Sequence, residues 1–246
     1  MRITNINIQC GISLRIAVAS DFHSRASEMR IDRTLALIKN ASPDLILCPG
    51  DIMNAVHERS VLEADNLNGL ELLTKMTAVA PVVYSIGNHE HGMNEDNRRI
   101  LDERGIMLLD NDSAEICGIT VGGLTTGYLK SKTEYRVPPV PETDFIDKFA
   151  ALDGFKILLC HHPEYFTKYI LGNKIGLTVS GHAHGGQWQF FSRGVYAPGQ
   201  GLFPKYTNGL HSFGSEHLAI SRGMTNTVPI PRFFNPCEVL ILDLTE

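Results

Sequence analysis

Short apolar runs recur along this chain, and each ends in a cluster of metal-binding residue types. Leu14–Ala19 leads into Asp21-Phe22-His23, and Leu45–Cys48 into Gly50-Asp51. Val82–Ile86 leads into Gly87-Asn88-His89-Glu90. Lys156–Cys160 leads into His161-His162-Pro163, and Leu177–Ser180 into Gly181-His182-Ala183-His184. A short, mostly apolar run bounded by turn residues is the pattern of a buried strand. Between several of these runs lie stretches with apolar residues at helical spacing, such as Met29, Ile31, Leu35 and Ile38. Alternating strands and helices predict an α/β fold, in which loops beyond the carboxyl ends of the strands converge on a ligand.

The expected helices cover 28–40, 58–78, 94–104, 142–152 and 163–171, with Pro163 suited to a first turn. Further strands are expected at 3–8, 106–109, 115–124, 187–191, 216–221 and 237–243. Residues 192–212 are rich in Gly, Pro and aromatics and read as a loop. No repeat or linker divides the chain, so 1–246 is expected to form a single domain.

Together the clusters offer two Asp, one Asn and several His, a mixture suited to a pair of first-row divalent metals. Taken singly, Asp21 fits a helix cap and Asp51 fits turn chemistry. Their ordered recurrence points instead to one assembled site. Asp21 and His23 are two apart, so an extended chain would aim both side chains the same way. Gly50, Gly87 and Gly181 each precede a candidate ligand, where a sharp turn leaves no room for a side chain.

Charge and cysteine content narrow the class. A net charge of −5 argues against electrostatically driven nucleic-acid binding, so no stable nucleic-acid partner is expected. Bound metal ions would still make a local site attractive to phosphate. The five Cys form no Cys-x-x-Cys pair, which fits a reduced compartment and argues against structural zinc. No signal peptide and no transmembrane segment are expected, placing the chain in the cytoplasm with room for peripheral membrane contact.

The ordered set D-x-H, G-D, G-N-H-E, H and G-H-x-H resembles the calcineurin-like metallophosphoesterases, and it spans residues 21 to 184. The strings SDFH, CPGDIM, IGNHEHG, LLCHHPE and VSGHAHGGQ are similar to the branch that includes bacterial YkuE- and YaeI-type phosphoesterases. Ser221-Arg222-Gly223 and a later Ile-Pro-Arg-Phe-Phe-Asn-Pro segment fit that branch as well. The resemblance implies a four-layer αββα sandwich of two mixed β-sheets flanked by helices. It implies that Asp21, His23, Asp51 and His184 hold one metal, and that Asp51, Asn88, His161 and His182 hold a second. Asp51 would bridge them. His89 would act as catalytic proton donor, with Glu90, His162 and Arg222 as candidate substrate or supporting residues. His91 reads as a solvated loop residue.

Two metals about 3.5–4 Å apart activate a water and clamp phosphoryl oxygens for in-line attack. A metal-dependent phosphoric ester hydrolase is therefore expected, with a phosphodiester of a small molecule or a lipid-linked phosphate as substrate. Manganese is the first choice of metal, and iron, zinc or nickel also suit these ligands. Two other readings are a catalytically silent binding scaffold, which would be expected to lose ligands, and a nuclease, which would be expected to be basic. Substrate choice would fall to the loop at 192–212, where Tyr196, Phe203, Tyr206 and His211 could wall the site. The sequence carries no signal for oligomeric state.

Overall fold

The computed structural model describes residues 1–25, 28–54, 56, 60–90, 93–125, 139–191 and 193–246. The chain opens with strands β1 (Arg2–Gln9) and β2 (Leu14–Val18), helix α1 (Glu28–Ala41) and strand β3 (Leu45–Cys48). Helix α2 (Ala64–Thr77), strand β4 (Val82–Ser85), helix α3 (Glu95–Asp102) and strand β5 (Ile106–Leu109) follow. Next come β6 (Asp112–Ile116), β7 (Ile119–Leu124), α4 (Thr143–Ala150), β8 (Lys156–Cys160) and β9 (Leu177–Ser180). Four two-residue strands, β10 (Gln189–Phe190), β11 (Arg193–Gly194), β12 (Tyr196–Ala197) and β13 (Gly201–Leu202), form two small hairpins. The chain ends with β14 (Gly209–Phe213), β15 (Glu216–Ile220) and β16 (Glu238–Thr245).

Two six-stranded sheets carry the fold, in the orders β1-β16-β2-β3-β4-β5 and β14-β15-β9-β8-β7-β6. Both are mixed. β2, β3 and β4 run parallel, as do β8 and β9, whereas β16 runs antiparallel to β2. Alternation along each strand explains how the sheets stack. Ile16, Val18, Leu45 and Leu47 point into one apolar cluster shared with Val121, Ile157, Leu159 and Val179 of the other sheet. The intervening Ala17 and Ile46 point the opposite way, onto Ile31 and Ile38 of α1 and Leu70 and Leu73 of α2. Across the molecule, Leu158 and Cys160 pack on Phe145 and Phe149 of α4. The result is helix, sheet, sheet, helix. Truncating an inner-layer residue such as Leu47 to Ala would cost about 2–5 kcal/mol.

Local chemistry sets the element ends. Asn94 caps α3 by accepting from the Asn97 N–H at 2.9 Å. Ile31, Thr34 and Ile38 form the buried stripe of α1. Four expectations need correction. The strand expected at 115–124 is a hairpin of β6 and β7, because Cys117 and Gly118 both take positive φ (52° and 76°). That is the conformation of a type I′ turn, and Cys is a poor sequence signal for it. The helix expected at 163–171 is a single π-helical turn over Phe166–Ile170. The loop expected at 192–212 contains β14, whose register against β15 pairs His211 with Leu218. The helix expected at 58–78 begins later, at Ala64, with a turn over 60–63, and residues 58 and 59 and the loop His91 lie outside the described residues. Among the described residues, no helix is long and apolar enough to cross a membrane.

Candidate metal centre

Strands β2, β3, β4, β8 and β9 all end at one edge of the sandwich, and the clusters that follow them meet there. The backbone stitches them together. Asp21 N–H donates to the Gly50 carbonyl at 3.3 Å, His23 N–H to Asp51 at 3.0 Å, and Gly181 N–H to His161 at 3.2 Å. The extended geometry expected at Asp21-Phe22-His23 does not occur. Asp21, His23, Asp51, His182 and His184 all take positive φ, between 47° and 63°. Each such non-glycine residue costs about 1–3 kcal/mol, and clusters of them mark sites that the surrounding structure holds in place.

Two glycines allow the close approach. A Cβ on Gly87 would lie within 2.6 Å of the Asp51 nitrogen, and one on Gly181 within 2.5 Å of Asp21 Oδ2. Glu90 supplies the scaffold beneath. Its buried carboxylate accepts from the N–H groups of Asp51 (2.8 Å), Met53 (2.8 Å) and Gly87 (2.9 Å). Burial, then repulsion from Asp51, raises Glu90 to about 7. It holds two of the loops together and does not orient His89.

Among the described residues the side chains form four groups. Two of them, His23 with Asp51 and His89, and His162 with Glu164 and His182, overlap the pair that matters most. In that pair, Asp21, His23 and His184 make one group, and Asp51, His161 and His182 make the other, with the ligand atoms of each within 4.8 Å of one another. Asp51 Oδ2 faces both, 3.8 Å from His23 Nε2 and 3.1 Å from His161 Nε2. Asp51 Oδ1 is oriented by the His89 N–H at 2.9 Å. Asp21 is fixed by the Ser20 hydroxyl (2.6 Å) and the His182 N–H (3.0 Å). Asn88 is buried on the same floor.

This donor set fits metal ions. Both ring nitrogens of His23 and Nε2 of His161 are buried with no hydrogen-bond partner. His161 donates from Nδ1 to the Pro49 carbonyl at 2.8 Å, which points Nε2 at the cluster. Burial opposes a charge on His161, but Asp51 overrides it and pushes the imidazole up to about 10. Burial would also raise Asp51, but the neighbouring histidines, His161 first, hold it well below the usual carboxylate range. Positive charge is strongly favoured between these two residues. His23 and His182 are held well below the ordinary histidine range, chiefly by burial.

His89 stands apart from the other histidines. It is partly exposed, packs edge-on against His23, and contacts the Asn54 carbonyl through Nδ1 at 2.7 Å. Its Nε2 is 4.0 Å from Asp51 Oδ2. His162 is neither exposed nor at the surface. It is fully buried, stacks on His182 with ring centroids 3.9 Å apart, and sits 3.3 Å from Glu164. Arg222 does not line the cavity above the cluster, and its guanidinium pairs with buried Glu238 at 2.6 Å.

Arg232 braces the site from outside the five ligand motifs. Its guanidinium contacts His184 Nδ1 at 2.9 Å and donates to the Arg222 and Thr225 carbonyls. Nearby, Asn235 donates to the His184 carbonyl at 2.7 Å. The signal was the Ile-Pro-Arg-Phe-Phe-Asn-Pro string, which reaches back to brace the loop of His182 and His184.

Above the floor lies a cavity of about 450 Å³. Its polar end is His23, Asn88, His89 and His184, and its wall is Trp188, Val195, Tyr196, Pro198, Val228 and Ile230. Of the four residues expected to form an aromatic wall, Tyr196 does so. Tyr206 is buried in the outer core, and Phe203 and His211 line a separate groove.

A family model described as calcineurin-like phosphoesterase matches residues 14–186. The metallophosphoesterase YkuE of Bacillus subtilis is 26% identical over 221 residues, covering 84% of this chain and 70% of its own length. The phosphodiesterase YaeI of Escherichia coli is 25% identical over 228 residues, covering 87% and 75%. Across the curated relatives it matches, the chain spans from 49% to 75% of their length. The protein TT1561 of Thermus thermophilus shares the fold, with a TM-score of 0.52, 11% identity, and coverage of 86% of this chain and 90% of its own.

Proposed function

Because this chain belongs to the calcineurin-like phosphoesterase family, we propose that it hydrolyses a phosphodiester, of a small molecule or a lipid-linked phosphate, at a centre of two divalent metal ions. The observation that carries this reading is that Asp21, His23 and His184 gather beside Asp51, His161 and His182, with His23, Asn88, His182 and His184 lining one cavity. Asp21, His23, Asp51 and His184 would hold the first ion. Asp51, Asn88, His161 and His182 would hold the second, and Asp51 would be shared. Bound there, the ions would supply a water nucleophile at neutral pH and positive charge for the phosphoryl oxygens.

The remaining chemistry belongs to side chains. His89 lines the cavity beside the cluster and is proposed to give a proton to the leaving oxygen. Its Nδ1 contact with the Asn54 carbonyl supports this role, because it fixes the ring and turns Nε2 inward. Asn88 is a neutral donor, so the floor keeps its attraction for a phosphate dianion or monoanion. The apolar wall of Trp188, Tyr196 and Ile230 would accept an apolar group on the ester and shed water from the polar end. The name of the relative YaeI, a phosphodiesterase, supports a diester over a monoester.

The test is turnover of a chromogenic diester and a matched monoester by the full chain with manganese, iron, zinc or nickel. The reading predicts metal-dependent hydrolysis that favours the diester. Equal rates without metal would contradict it. Preference for single-stranded DNA would move the reading to a nuclease.

A further inference from the structure

Exposed apolar side chains are concentrated between Trp188 and Phe234, four of them on the cavity wall and others in two further grooves. Among the described residues, seventeen large apolar side chains are exposed, and ten of them lie between Trp188 and Phe234. Phe191, Phe203 and Phe234 are each 80% exposed or more. They do not form isolated points. Phe190 and Phe234 approach with ring centroids 6.4 Å apart, and Trp188 and Phe233 at 5.8 Å. The Trp188 indole N–H donates to Pro231 at 2.9 Å, and the Phe203 N–H to Val195 at 2.8 Å, which ties the two rim segments and the hairpin loops together.

The charge pattern of this rim is one-sided. Residues 185–215 and 217–237 contain no Asp or Glu, in a chain whose net charge is −5. Exposed Arg193 and Lys205 sit among the aromatics, and Arg2 shares a groove with Phe190, Phe191 and Phe234. Protruding aromatics interleaved with Arg and Lys, with acidic residues excluded, are complementary to an anionic bilayer surface. A protein-binding patch of this size would be expected to carry polar residues of both signs around its edge.

Trp188, Tyr196, Val228 and Ile230 belong to both the exposed rim and the cavity wall. An apolar path therefore runs from the surface down to the metal-ligand floor. We propose that this rim docks on an anionic membrane and that the cavity draws its phosphoester from the bilayer, the apolar chain of the substrate remaining along the wall. The substrate half of this inference rests on the phosphoesterase reading; the docking half does not.

The experiment is co-sedimentation of the full chain with phosphatidylcholine vesicles, with and without phosphatidylglycerol. The expected result is pelleting with the anionic vesicles, weakened by salt. Phe191→Ser with Phe234→Ser should reduce it at least about tenfold. Arg193→Glu or Lys205→Glu should each reduce it about fivefold or more. Thermal melting shows that each variant is folded, and if the double variant is not, Phe203→Ser carries the same test. Absence of pelleting by the unaltered chain overturns the docking, as does unchanged pelleting by every folded variant. Light scattering that finds a dimer lost in the Phe variants, with no vesicle binding, overturns it in favour of a second copy of the chain.

Hydrolysis of a water-soluble chromogenic diester by the unaltered chain checks the phosphoesterase reading separately. A chain that pellets but hydrolyses nothing supports docking and defeats the chemistry. One that hydrolyses but never pellets does the reverse.

Discussion

The two halves of the ligand cluster use the same residue types and are braced in opposite ways. Around Asp51, His161 gives its Nδ1 hydrogen to the Pro49 carbonyl, leaving Nε2 free to face the cluster. Around Asp21, His184 Nδ1 meets the Arg232 guanidinium, which can only donate. Its Nε2, 3.6 Å from Asp21 Oδ1, is therefore the nitrogen that carries the hydrogen. Burial first, and Arg232 after it, also hold His184 below its usual range against the pull of Asp21. An acceptor behind a histidine raises its strength as a ligand, and a donor behind it lowers that strength. To bind a cation through Nε2, His161 gives up a proton and keeps its brace, whereas His184 must give up its Nε2 hydrogen and also shift its guanidinium contact.

The largest effect should come from the residue common to both halves. Asp51→Ala is predicted to lose bound metal and reduce diester hydrolysis to background, measured by metal analysis beside an assay in manganese. His182→Ala should behave alike for hydrolysis while keeping metal in the other half. Near-wild-type rates in either would break the scheme. His89→Ala should keep its metal and lower kcat by about 10²–10⁴. Lost metal would mean that His89 is itself a ligand, a role its place in a group with His23 and Asp51 permits.

The next effect is pH. Protons and metal compete for His161 Nε2, and His161 is pushed up to about 10 in the metal-free protein. Affinity of the half around Asp51 should therefore rise with pH, by about tenfold per unit, until His161 deprotonates unaided. Calorimetry in buffers of different ionisation heat should find about one proton released per metal bound there. A flat profile would remove the electrostatic basis of the comparison. The smallest effect concerns Arg232. Arg232→Gln should strengthen the weaker metal about tenfold and leave the stronger one in place. Weakening of both would mean that Arg232 braces the whole floor.

The meeting of the seven candidate side chains was legible because each follows an apolar strand, as with Leu45–Cys48 before Asp51, and such strands end together at one edge of a sheet. The four layers are implied by the family resemblance, because the all-apolar run Ile16, Ala17 and Val18 shows no alternation that would assign its two faces. Less visible were features without periodicity. Positive φ at Asp21 and His23 is imposed by tertiary hydrogen bonds to Gly50 and Asp51, not by local preference. Arg232, Val228 and Ile230 reach the site from a loop forty or more residues away in sequence, and nothing in their spacing announces it. Tyr206 looked like an active-site aromatic, but burial against the outer core accounts for it.

The central claim is that two unequal metal positions must both be filled for hydrolysis. Its most direct test titrates metal-free protein with manganese while bound metal and diester hydrolysis are followed together. The account predicts two affinities, with hydrolysis rising only as the weaker position fills. Full hydrolysis at one equivalent, or none with two ions bound, would contradict it.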